Sequence, residues 1–160
     1  MIANKKMMIL LNSVDSMSKN KKLCITSYNL KKIINPKFVK VHDCIIISEK
    51  QSKELEKYYN QAMSMYDDEV GYEASNTETR INDYFEKEIT VVEALNIGID
   101  ICETWKKYLK MIEPQSQFCM VITCDGEYVT LRFHKIRSNT ENWLCNDLER
   151  YEEPVAYEVY

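Results

Sequence analysis

Two histidines and six cysteines are the side chains in this 160-residue chain best suited to nucleophilic or metal chemistry. A nucleophile of that kind needs a nearby imidazole and a third group to orient it. His42 and Cys44 are two positions apart, so in one extended strand they share a face. Arg132 and His134 stand in the same relation further along. A site joining those two strands is geometrically possible, but neither pair sits in a nucleophile motif. Metal ligation needs Cys and His paired at ligand spacing. Cys24, Cys44, Cys102, Cys119, Cys124 and Cys145 include no C-x-x-C, and His134 stands alone. Asp67, Asp68 and Glu69 lack the alternating ligands and terminal Glu of a calcium loop. Three glycines leave little material for a phosphate-cradling loop. Asp43, just before an apolar run, reads as a strand-edge surface acid. The expectation is a protein that is not an enzyme and carries neither metal nor cofactor.

Charge is more informative than motif. Residues 1–40 hold nine lysines and one acid, Asp15, whereas the other 120 residues hold 12 bases and 24 acids. A molecule of two signs suggests a basic arm and a separate acidic surface. Lys19, Lys21, Lys22, Lys31, Lys32, Lys37 and Lys40, with Tyr28 and Phe38 interleaved, have the makings of a nucleic-acid track. No reader motif accompanies them, and a pI near 5.3 is not that of a nucleic-acid-binding domain. At the other end, residues 139–160 carry six acids and one base. Within it Glu141, Trp143, Asp147, Glu149, Tyr151, Glu152 and Glu153 form the candidate partner-binding set. Aromatics supply anchor area and acids steer a basic partner. The competing reading tucks Trp143 and Leu144 into the core and leaves the acids to solvate a rim.

The elements that must position these residues follow from periodicity. Asp125-Gly126 between two β-prone runs marks a two-residue hairpin turn with positive φ at both central residues. Pairing on that turn sets Cys124 opposite Glu127, Ile122 opposite Val129, Met120 opposite Leu131 and Phe118 opposite Phe133. One face is then apolar, and the other carries Cys119, Val121, Thr123, Tyr128, Thr130, Arg132 and an exposed His134. A helix from about Val91 to Ile112 opens with a Thr90–Glu93 capping box and ends before Pro114. Its apolar stripe runs through Ala94, Leu95, Gly98, Ile101, Cys102, Trp105, Tyr108, Leu109 and Ile112. A second helix over 49–66 starts from a Ser48–Gln51 capping box and buries Leu55, Tyr59, Ala62 and Tyr66, with Tyr58 and Met65 flanking. Val39–Ile47 reads as one strand, Ile81–Phe85 as a short helix, Pro154–Tyr160 as a closing strand. Asp67–Thr79 reads as a loop and 18–22 as an exposed connection. Met7–Met17 and Leu30–Ile34 are further helix candidates.

Together these predict a single α+β domain spanning 1–160, an antiparallel sheet built on the 118–136 hairpin and packed against two or three helices. The length suffices for a core without a metal or disulfide staple. No apolar run approaches the ~18 residues of a membrane span, and Met7–Leu11 is short for a signal-peptide core. With cysteines spaced through regular elements, a reduced cytoplasmic protein is expected.

The stretch Asp125-Gly126-Glu127-Tyr128-Val129-Thr130-Leu131-Arg132-Phe133-His134, then Asn142-Trp143-Leu144 and Asp147-Leu148-Glu149-Arg150-Tyr151, resembles the carboxyl-terminal part of small bacterial immunity proteins. The resemblance is one of layout, a hairpin followed by an acidic aromatic tail. It implies a cytosolic antidote that binds a cognate toxin domain, often a nuclease. No binding residue carries over from it. A nucleic-acid-associated or regulatory role for the lysine-rich start is the alternative.

Overall fold

The computed structural model describes residues 1–18, 28–138 and 140–160. The candidate connection at 18–22 lies outside them beyond Ser18, as do Lys19, Lys21, Lys22 and Cys24. In chain order the elements are β1 (Ile2–Ala3), α1 (Lys5–Ser18), α2 (Tyr28–Ile34), β2 (Phe38–Val41), β3 (Cys44–Ile47), α3 (Ser52–Tyr66), α4 (Glu69–Asn76) and β4 (Thr79–Arg80). A 3-10 turn at Ile81–Tyr84 leads to α5 (Val91–Ile112), β5 (Phe118–Asp125) and β6 (Tyr128–Lys135). A second 3-10 turn at Leu148–Arg150 precedes β7 (Val155–Val159). The fold is α+β: an antiparallel sheet in the order β1-β7-β5-β6-β4, a separate β2-β3 hairpin, and helices packed on both.

The β5–β6 hairpin forms, but two residues out of the predicted register. Asp125 pairs with Tyr128, Cys124 with Val129, Ile122 with Leu131 and Met120 with Phe133. The turn residues are therefore Gly126 and Glu127. Gly126 alone takes a positive φ there, at 59°, and at the first central position only glycine does so without strain. Because side chains alternate with period two, a two-residue shift leaves each on its predicted face. The apolar face is buried beneath α5. Trp105 is fully buried there, edge-on to Phe38 and Phe133, and its Nε1 donates to the Ile33 carbonyl at 2.7 Å. The helix approaches closely at Gly98, where an added Cβ would lie 3.3 Å from Leu131.

The opposite face is not open to solvent, contrary to expectation. Leu144, Leu148 and Tyr151 fold over Cys119, Val121 and Val155, and His134 is only 1% exposed. The alternating pattern reported two faces; which of them a distant segment covers is a tertiary matter.

Other expectations need correction. Val39–Ile47 is two strands, not one, reversed at His42, whose φ of 52° breaks the run. His42 and Cys44 thus do not share a strand face. The helix at 49–66 begins at Ser52. Gln51 is its N-cap but makes no side-chain cap bond, and the Ser48 hydroxyl accepts instead from the Lys50 N–H. Tyr66, expected inside, is 72% exposed, and Ile112 at the end of α5 is also exposed. Asp67–Thr79 is mostly helix: Asp67 closes α3 in the left-handed region and Asp68 caps α4, its carboxylate accepting from Gly71 N–H. The loop-like composition belongs to the two cap residues. The predicted α5, with both arms of its capping box, forms as expected.

The outer edge of β6 shows how the sheet is closed. β4 covers only Thr130 and Leu131. Beyond it, side chains stand in for a strand. Asn82 bonds the Val129 N–H and Glu127 carbonyl, Thr77 bonds both backbone groups of Phe133, and Glu73 accepts from Lys135 N–H. An edge satisfied in this way is withheld from pairing with other chains.

Candidate functional site

Cys119 stands directly across the β5–β6 pair from His134, but among the described residues no hydrogen bond joins a candidate thiol to a histidine. Burial pushes the Cys44, Cys102, Cys119 and Cys124 thiols up to about 12, so they are protonated at neutral pH and poor nucleophiles. Cys145 is exposed, and all five are free. His42 stacks on Tyr59 and pairs with Glu56 at 2.7 Å. Burial lowers the pKa of His134, against a hydrogen bond to the Lys135 carbonyl that works the other way. Among the described residues no three His, Cys, Asp or Glu side chains gather as a metal site.

Charges converge instead where the β2–β3 hairpin meets β6. Glu73, fully buried, accepts from Ile45 N–H, Lys135 N–H and Arg137 Nη1, each at 2.8 Å. Arg137 also reaches Glu69 and Asp43, and Lys135 bridges Asp43 to Glu113, which Lys40 reaches from β2. Asp43 is therefore a hairpin-turn acid holding two cations, rather than an unpaired strand-edge acid. Burial opposes ionisation of Glu113, but bonds from Lys135, Lys40 and Ser116 outweigh it and bring its carboxyl down to about 2. Each charge in this cluster has a partner, so it serves as a clasp. It ties α4 and the small hairpin to the main sheet, and so sets the position of α3 beside them.

What the clasp positions is an open groove of about 780 Å³ between α3, α4 and the segment carrying Trp143. Leu55, Tyr58, Ala62, Met65 and Tyr66 line it from α3, and Gly71, Tyr72, Ser75 and Asn76 from α4. Large apolar side chains are left in solvent here: Tyr58 at 45% exposure, Met65 at 61%, Tyr66 at 72% and Trp143 at 37%. Two are braced by cations. Lys50 lies 4.0 Å over Tyr58, and Arg132 lies 5.0 Å over Trp143 while pairing with Glu78 at 2.7 Å. Held aromatics of this kind lose little side-chain freedom on binding, which favours affinity. Of the predicted partner set, only Trp143 lines the groove.

The rest of that set runs away from the groove along the second sheet face. Leu144 and Leu148 are buried and pin the segment, while Glu141 and Asp147 are exposed. Asp147 caps the 3-10 turn, accepting from Glu149 N–H. Glu149 accepts from Lys5 N–H, and the Tyr151 hydroxyl accepts from Cys145 N–H. Glu152 and Glu153 are exposed, their carbonyls accepting from Lys6 Nζ and Asn4 Nδ2. The seven residues thus form an acidic flank whose upper end enters the groove. Tyr58, Met65 and Tyr66 were not among them. The available signal was the breadth of the apolar surface on α3, more than one buried face can use.

The lysine-rich start divides. Lys31, Lys32 and Lys37 are exposed, Lys40 is held by Glu113, and Phe38 packs 5.7 Å from Phe133 in the core, so it is not free to stack on a base.

The fold is thus α+β, with a cation-braced aromatic groove on one side. The chain belongs to the Uncharacterized protein PM0498 family, whose model matches residues 2–159. Among curated proteins and among solved structures, none matches the chain. No helix of the described residues is long and apolar enough to cross a membrane.

Proposed function

We propose that this protein works by stoichiometric binding and neutralisation of a partner protein, in the manner of a cytoplasmic immunity protein whose partner is a basic toxin domain such as a nuclease. One observation carries the reading: four large apolar side chains, Tyr58, Met65, Tyr66 and Trp143, stand exposed around one groove. Clustered exposed apolar surface marks interaction sites on soluble proteins, and Trp and Tyr dominate binding hot spots. The acids from Glu141 to Glu153 continue that surface and supply steering for a basic partner. The buried, protonated thiols favour binding over covalent catalysis. Lys40, held by Glu113, and Phe38, in the core, weigh against a nucleic-acid track.

The test is to look directly upstream of this gene for a large secreted protein with a variable carboxyl-terminal domain, to co-express that domain with this protein, and to follow binding by titration calorimetry. The expected result is survival of the host and one-to-one binding. Trp143→Ala should raise the off-rate, at a cost of ~2 kcal/mol or more. Reversing Asp147, Glu149, Glu152 and Glu153 to lysine should slow association by roughly 10–1000-fold at low salt. Full toxicity in the presence of the folded protein, with no heat of binding, would end this reading.

A further inference from the structure

The groove has the form of a seat for a third helix. On α3 its apolar lining residues recur at Leu55, Tyr58, Ala62, Met65 and Tyr66, the spacing of one helical stripe, with the polar Gln61 at its edge. That stripe runs for about 16 Å at 1.5 Å per residue. On α4 the lining residues are Gly71, Tyr72, Ser75 and Asn76, and the small Gly71 and Ser75 leave room between the walls. Two helices thus turn largely apolar or small surfaces, edged by Gln61 and Asn76, toward a common gap that no element among the described residues fills. An amphipathic helix laid in such a gap meets both walls with residues at i, i+3, i+4 and i+7.

Charge selects the kind of helix. Asp67 and Asp68, at the turn between α3 and α4, are exposed and have no ion-pair partner among the described residues; nor has exposed Glu141 beside Trp143. The cations nearby are committed: Lys50 to Glu54 and the Tyr58 ring, Arg132 to Glu78 and the Trp143 ring. Lys53 and Lys57 are exposed on α3 but do not line the groove. Of the two charged residues that line the groove, Lys50 is paired with Glu54 and Asp68 has no ion-pair partner among the described residues; Asp67 adjoins Asp68, and Glu141 lies two residues before the lining Trp143, so the unpaired charge at the groove is negative.

We propose that the groove receives a cationic amphipathic α-helix of the partner protein. Its apolar face lies between Tyr66 and Trp143, and its lysines or arginines meet Asp67, Asp68 and Glu141. This rests on the partner-binding reading above and adds the chemical class of the segment recognised. The binding energy comes from covering the exposed aromatics, and the acids fix which amphipathic helices are accepted.

The test uses the full chain and three labelled peptides of about 18 residues, long enough to span the groove. One is a Leu/Lys sequence patterned at the helical period, the second has the same composition scrambled, and the third has Glu for Lys. Fluorescence anisotropy should show the patterned Leu/Lys peptide binding at least about tenfold tighter than either control. Tyr66→Ala and Trp143→Ala should each weaken it about thirtyfold, and Asp67→Lys with Glu141→Lys should flatten its salt dependence. Both aromatic positions are exposed, so unchanged thermal melting confirms that these variants fold. No binding of the patterned peptide, equal binding of the controls, or wild-type affinity in the aromatic variants would overturn the inference. Self-association in sedimentation that Tyr66→Ala abolishes would also overturn it, since a second copy would then be the occupant. If the partner binds Tyr66→Ala normally but not the tail charge reversal, this inference fails and the wider reading stands. If no partner binds at all, the wider reading fails with it.

Discussion

Asn4 ties both ends of the chain together, and its replacement has a size and a pH dependence that follow from its bonds. The side chain is 1% exposed. Its Oδ1 accepts from Met7 N–H at 2.9 Å, as the N-cap of α1, and from Val155 N–H at 3.2 Å. Its Nδ2 donates to the carbonyls of Glu153 at 2.8 Å and Leu148 at 3.4 Å. In Asn4→Ala the cap is lost, at ~1 kcal/mol, and the Val155 N–H loses a partner inside the protein, at ~1–3 kcal/mol. The expected cost is ~2–4 kcal/mol. Asn4→Asp separates the two halves of this account. The introduced carboxyl keeps the acceptor for Met7 and Val155 but turns a second oxygen toward two carbonyls. Ionised, it is repelled by both and buried; protonated, it can donate to Glu153. Its folded pKa must therefore lie above the ordinary ~3.9 of aspartate. A raised acid pKa means stability that is present at low pH and lost as pH rises through the folded value. Urea titrations followed by circular dichroism, each referred to wild type at the same pH, should give a small deficit near about pH 4, widening to ~2–3 kcal/mol near about pH 8. A cost below about 1 kcal/mol for Asn4→Ala, or a deficit of Asn4→Asp that does not change with pH, would refute the reasoning.

Trp105→Ala should cost ~3–5 kcal/mol in the same titration, and Trp105→Phe, which strands the Ile33 carbonyl, about 1–2 kcal/mol; a loss below about 1 kcal/mol for the alanine variant would mean that α5 does not cover the hairpin through this ring. Glu113, with its folded pKa lowered from 4.5 to about 2, contributes stability that is present above pH 4.5 and lost as pH falls toward about 2. Glu113→Gln should therefore trail wild type by about 1–3 kcal/mol at neutral pH after solvent screening, and a comparison across pH should show the gap closing between pH 4.5 and about 2. Gly126→Ala places a Cβ at a φ of 59° and should cost about 1 kcal/mol, whereas a neutral result in denaturant titration would mean that the turn relaxes to another type.

Local chemistry carried much of the fold into the sequence. The Thr90–Glu93 box, the stripe through Trp105 and the stop before Pro114 specify α5, because each acts within a few residues of itself. The hairpin was legible for the same reason, although its turn was placed one residue early. Asp125-Gly126 and Gly126-Glu127 both offer a glycine, and the alternation of faces does not distinguish registers that differ by two. Asp67 and Asp68 read as loop in the sequence because cap residues and loop residues share a chemistry. For the candidate site, Trp143 and its acids stand out by composition, while periodicity puts Tyr66 on the buried side of a helix, with Tyr58 and Met65 flanking it.

By itself, then, the sequence determined the class α+β, the helix over α5, the apolar face beneath it and the acidic, aromatic character of the carboxyl-terminal segment. Only tertiary structure decided which surplus apolar residues stay outside. Leu144 and Leu148 cover the second sheet face and so bury His134, and the clasp of Glu73 and Arg137 holds α4 against β6. That arrangement leaves α3 with more apolar surface than its neighbours cover. Burial is a property of what packs against a residue from distant parts of the chain, and periodicity along one helix records only which residues share a face.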